Sequence, residues 1–163
     1  MPLATAPLNA PTLAWPRTAP AILWSGLIAG ALDISAAFVN GGLRGVRPGR
    51  ILQGIAYGLL GPSSFQGGAA TVILGGILHF FIAFSAATVF YLASRKLEFL
   101  TQQAVLAGAA YGVAVYTVMY WVVIPLSAIR RLPFSWQGTV TAIVIHIFCV
   151  GLPISLIVKR FSR

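Results

Sequence analysis

One carboxylate and two imidazoles stand inside the long apolar stretches of this chain. Asp33 lies within 22–39, His79 within 71–93 and His146 within 139–158. The remaining apolar stretch, 104–124, carries no such group, and the only other acid, Glu98, falls in a connection. A carboxylate and an imidazole can each take up and release a proton, and a carboxylate can hold a cation. Ionisable groups are costly in lipid, so these three residues are functional candidates by default.

Their spacing puts them on packing faces. Residues three and four apart are neighbours on a helix. Gly26, Gly30, Asp33 and Ala37 form one stripe. Gly75, His79, Ala83 and Ala87 form a second, and Ala142, His146, Cys149 and Pro153 a third. Small residues let membrane helices approach closely, so each ionisable group sits on a face turned to other helices. Depth agrees. Asp33 is six residues before Val39, His79 eight after Thr71 and His146 seven after Thr139. In antiparallel spans rising 1.5 Å per residue, all three lie roughly 9–12 Å inside one membrane face.

The elements that must position them follow from composition. The 163 residues are 58% hydrophobic and only 8% charged, and mean hydropathy is +0.90. Soluble domains carry about 25% charged residues, too many to reconcile with this chain. The four stretches hold 18 to 23 residues each, near the roughly 20 needed to cross a hydrocarbon core about 30 Å thick. The reading is an all-α polytopic membrane protein: a single four-transmembrane-helix bundle over 22–163.

Residues 1–21 contain five prolines and read as a disordered Pro/Ala-rich tail. With no basic leader and no clear cleavage site, the first helix reads as retained. The connection 40–70 holds an apolar run at 51–61 that is stopped by Pro62. Eleven helical residues reach only about 16 Å, so the run reads as a short interfacial or re-entrant helix between helices 1 and 2. Within it, Gly54 and Gly58 fit close helix packing. Ser63, Ser64 and Gln66 are candidates to line the mouth of a pathway.

The net charge is +9, from eleven Lys and Arg at span ends and in connections. That distribution suits anionic lipid headgroups and topology, not nucleic acid. The side holding both termini carries six of these cations and the other side five, which leans towards cytoplasmic termini. Trp24, Tyr91, Tyr120, Trp121 and Trp136 read as interface anchors. The lone Cys149 excludes an intrachain disulfide. Leu27-Ile-Ala-Gly-Ala31 is similar to Val105-Leu-Ala-Gly-Ala109, as a two-helix unit used twice would produce.

Three functions remain open. The first is a proton-linked transporter or permeation unit, with Asp33 binding the proton or a cation and His79 and His146 assisting. The second is a structural or stress-response membrane component in which the three side chains only hydrogen-bond between helices. The third is an electron carrier, with His79 and His146 on diagonal helices ligating one b-type haem. No Walker loop, nucleophile elbow or zincin motif is present, so neither an enzyme nor a metal site is expected.

From His79 onward the chain resembles the YagU-like bacterial inner-membrane proteins. The matching residues are His79, Phe84, Phe90-Tyr91, Leu106-Ala-Gly-Ala109, Pro125-Leu126, Pro133-Phe134 and His146. They cover roughly half the chain, on small and apolar residues of low specificity. The resemblance implies a multi-pass protein of the bacterial cytoplasmic membrane, loosely associated with acid tolerance, and assigns no catalytic residue. Apart from the resemblance, the expected partners are the lipid bilayer and a second copy of the chain in a homo-oligomer.

Overall fold

The computed structural model describes residues 18–129 and 134–162. It is all-helical, with no strand among these residues. Five helices organise it: α1 (Thr18–Gly42), α2 (Pro48–Leu60), α3 (Gly68–Ser94), α4 (Ala104–Leu126) and α5 (Trp136–Phe161). Among the described residues, α1, α3, α4 and α5 are long and apolar enough to cross a membrane. Phe81, Leu106 and Val140 lie exposed on their outer faces, while Ser25, Thr71, Ser94 and Ser155 are buried. Those four hydroxyls donate to carbonyls of their own helices. Apolar outside and internally satisfied polar groups are what a lipid solvent demands. The chain is a multi-pass four-helix bundle.

α1 starts four residues earlier than the sequence suggests. Residues 18–21, read as tail, are its first turn. Ala21 is fully buried, and Thr18 Oγ1 lies 2.8 Å from the Tyr91 hydroxyl at the far end of α3. Packing outweighs the proline-rich composition there. Residues 1–17, the rest of the expected tail, lie outside the described residues, as do Arg130, Arg131 and Pro133.

α1 packs against both α3 and α5, and α4 packs against α5. Tyr111 closes the ring between α4 and α3 by donating its hydroxyl to the Ala86 carbonyl at 2.7 Å. Its ring also meets Phe90 edge-on. α3 also touches the last part of α5, so the diagonal between these two helices is the short one. The Lys159 ammonium donates to the Gln102 carbonyl at 3.4 Å, which puts the end of α5 beside the α3–α4 connection. Both ends of the described chain therefore meet at one end of the bundle. An apolar cluster of Ala21, Ala87, Phe90, Ile154 and Val158 fills that end.

α2 lies across the opposite end. Arg47 is extended, as a residue before proline must be, and Pro48 starts the helix. Gly61 ends it at φ +63°, a conformation that suits glycine. Thirteen residues reach about 20 Å, too short to cross. Ile51 packs at Gly41 of α1, and a side chain at Gly75 of α3 would strike the Leu52 carbonyl. The Gly58 carbonyl accepts from the Ala128 amide beyond α4 at 2.9 Å. Of the two glycines read as a packing pair, Gly58 meets Ser127 and Ile129, whereas Gly54 has open space beside it. The helix is held through Leu52 and Gly75 instead.

If α2 does not cross, cysteines at Arg50 and Gln66 must face the same compartment. In a Cys149→Ala background in sealed vesicles, an impermeant maleimide should label both from one side. Labelling from opposite sides would mean that 50–66 spans the bilayer.

α4 and α5 each contain a widened π-helical turn, at Met119–Val123 and His146–Gly151. The Ile124 amide reaches back five residues to Met119, and Leu152 does the same to Ile147. A proline follows each turn closely. Pro125 and Pro153 lack an amide hydrogen, and their rings crowd the carbonyls four residues back, at Trp121 and Cys149. Widening the turn relieves that crowding.

The repeated Ala-Gly-Ala segments sit alike. Gly30 meets Phe80 and Ala83 of α3, and Gly108 meets Gly151 and Ser155 of α5. Each glycine faces the next span of its own pair.

Candidate functional site

Asp33, His79 and His146 come from three helices and line one cavity of about 380 Å³. α1 brings Asp33 there because Gly26 and Gly30, two turns and one turn earlier, seat it on Phe84 and Phe80 of α3. His79 follows Gly75 by one turn on the buried stripe of α3. His146 stands at the start of the widened turn of α5. Ile51 and Ile55 of α2 border the cavity at its outer end.

Each imidazole commits one nitrogen to a backbone carbonyl. His79 Nε2–H donates to Gly30 across the α1–α3 contact at 2.8 Å. His146 Nδ1–H donates to Ala142 within α5 at 2.8 Å. A carbonyl can only accept, so these bonds fix the tautomers of the neutral rings. His79 Nδ1 and His146 Nε2 remain as acceptors. A haem bridging the two rings would have to take those nitrogens.

Asp33 differs. Among the described residues, its carboxylate has no hydrogen-bond donor and no cation partner. The Cys149 thiol of α5 lies within its electrostatic range. A carboxylate on an apolar wall needs a proton or a cation to offset its desolvation.

The sequence reading missed one wall. Tyr116, Met119 and Tyr120 of α4 also line the cavity. Tyr116 and Tyr120 stack with centroids 5.9 Å apart, and Tyr116 meets His146 edge-on at 5.8 Å. Tyr120, read as an interface anchor, belongs to this wall. The signal was available: Gly108, Gly112, Tyr116 and Tyr120 recur every fourth residue on one helix face.

Ser63, Ser64 and Gln66 do not border the cavity. They belong to the tight turn after α2. The Ser63 hydroxyl donates to Leu60. Ser64 is fully buried with no partner for its hydroxyl among the described residues, and Gln66 is exposed. Ile51 and Ile55 of α2, more than two turns earlier, border the cavity instead.

Among the described residues, no three His, Cys, Asp or Glu side chains converge closely enough to hold a metal ion. The three candidates thus share a cavity wall without meeting at a point. No protein-family model, curated protein or solved structure matches this chain.

Proposed function

We propose that this protein is a proton-linked transport or permeation unit of a bacterial cytoplasmic membrane, with Asp33 as its proton- or cation-binding residue. One observation carries the reading. Three ionisable side chains, distant in sequence, line one cavity, and its carboxylate has no partner in the described protein. In lipid such a group marks a pathway by default. His79 and His146 assist through the nitrogens that their backbone bonds leave over. The widened turns that carry His146 and Tyr120 supply places where α4 and α5 can bend.

Exposed Arg44, Arg47, Arg50, Arg95 and Lys96 meet anionic headgroups in this reading. The termini lie on the cytoplasmic side, and a relationship to the YagU-like proteins belongs to the same proposal. In proteoliposomes, a pH gradient should drive cation movement that depends on Asp33.

A second reading has its own support. Both histidines bond backbone carbonyls, as side chains that merely hold helices together would. A structural or stress-response component would then show no flux against a broad cation panel.

A further inference from the structure

The cavity's chemistry narrows what it would hold, and the argument rests on Asp33 being the charged residue of that site. Its walls are almost entirely aliphatic and aromatic, with Ala29, Ile34, Ile55, Ile82 and Val115 typical. At about 380 Å³ it is large for a bare ion. It falls within the roughly 300–1,000 Å³ of pockets that take small organic molecules. Calcium seeks 6–8 oxygen ligands, and magnesium keeps several waters. The cavity supplies one carboxylate, and no cluster among the described residues could cage a metal. A hydrated cation would set its water shell against walls that are mostly hydrocarbon. A neutral apolar guest would leave the carboxylate buried beside it and uncompensated. A cation whose charge sits within an apolar body meets both demands. The Tyr116–Tyr120 pair adds aromatic rings to the lining, and a cation over such a ring is attracted by its face.

We infer that this cavity is a binding site for a lipophilic organic monocation, with Asp33 as the counter-charge and the Tyr116–Tyr120 pair as its aromatic wall. α2 lies at the outer end, where Ile51 and Ile55 present only hydrocarbon to it.

The pH response has a definite sign. The titratable groups around Asp33 are His79 from α3, His146 and the Cys149 thiol from α5, and the two tyrosines from α4. On α2 the nearest cation, Arg50, is exposed and sits over the Phe65 ring. A proton and a bound cation compete for the same carboxylate, so affinity rises with pH.

The test is equilibrium binding of radiolabelled tetraphenylphosphonium to the full chain purified in detergent. Saturable binding is expected, tighter at the higher of two pH values at which the protein stays folded. Asp33→Asn should weaken it at least about tenfold, the loss of a counter-charge, and Asp33→Glu should retain it. Tyr116→Ala should weaken it roughly twofold to thirtyfold, the range of a cation–π contact. Neutral triphenylphosphine oxide should compete poorly. Helical circular dichroism and a monodisperse elution confirm that each variant folds. If Asp33→Asn fails to fold, the pH dependence and the neutral competitor decide. No saturable binding by the wild type, equal binding by folded Asp33→Asn, or equal competition by the neutral analogue would overturn the assignment. Asp33-dependent proton flux without tetraphenylphosphonium binding would end the organic-cation assignment and leave the proton site standing. Asp33-dependent binding without any flux would leave the cation site standing and end the transport reading.

Discussion

Replacing Asp33 by asparagine should leave a protein that inserts and folds yet loses at least tenfold of its pH-dependent flux, by roughly this reckoning. Two unit charges 4 Å apart interact by about 4 kcal/mol at an effective dielectric near 20. Even a third of that is worth about a factor of ten. Asparagine keeps the shape and can still hydrogen-bond, but it neither titrates nor carries charge. A purely structural Asp33 would behave otherwise. Interhelical polar contacts contribute about 0.6 kcal/mol on average, and asparagine would preserve most of that. Asp33→Leu would then be the damaging change, through lost stability. Flux in proteoliposomes, measured against external pH for the wild type and both variants, separates the two. Unaltered pH-dependent flux in Asp33→Asn would end the proton-site proposal.

The second large effect concerns the α4–α5 contact. A side chain at Gly151 would strike the Gly108 carbonyl and come within 2.8 Å of Gly112 Cα. One at Gly112 would meet His146 O and Ile147 Cα, each at 2.6 Å. These obstacles are backbone, so no rotamer change can clear them. Overpacking a core costs about 1–3 kcal/mol, and Gly151→Leu belongs at or above the top of that range. It must push α5 away from α4 and carry His146 and Val150 out of the cavity wall. The expected result is loss of the cooperative thermal transition in detergent, together with loss of tetraphenylphosphonium binding. Gly54→Ala is the matched control. Nothing lies within 4 Å of its would-be Cβ, so helix propensity alone should stabilise it by about 0.5–1 kcal/mol. A stable, binding-competent Gly151→Leu would mean that α4 and α5 do not pack backbone to backbone.

Much of the bundle was legible because lipid imposes simple local rules. Span length and the three- and four-residue recurrence of small side chains are local properties. They located the four crossings and turned Asp33, His79 and His146 towards other helices. The four-residue shortfall at Thr18 arose because composition outweighed a contact with Tyr91, seventy-three positions away. Close approach of Gly108 and Gly112 to Gly151 depends on which helices become neighbours, and no local window holds that information. The widened turns were half legible. Pro125 and Pro153 were visible in the sequence, but a proline can kink, end or widen a helix. Neighbouring packing selects among those outcomes. Tyr120 shows a similar ambiguity: an aromatic near a span end suits both a headgroup anchor and a cavity wall.

Asp33 itself offers the most direct measurement. Infrared difference spectra of the reconstituted protein, recorded as pH is stepped, report the C=O stretch of a protonated carboxyl group. The expected result is a carboxyl band that shifts when tetraphenylphosphonium is added and is absent from Asp33→Asn, over the bands of Glu98 and the C-terminus that both proteins share. A carboxyl signal from Asp33 that is unchanged by both pH and the cation would contradict the central claim.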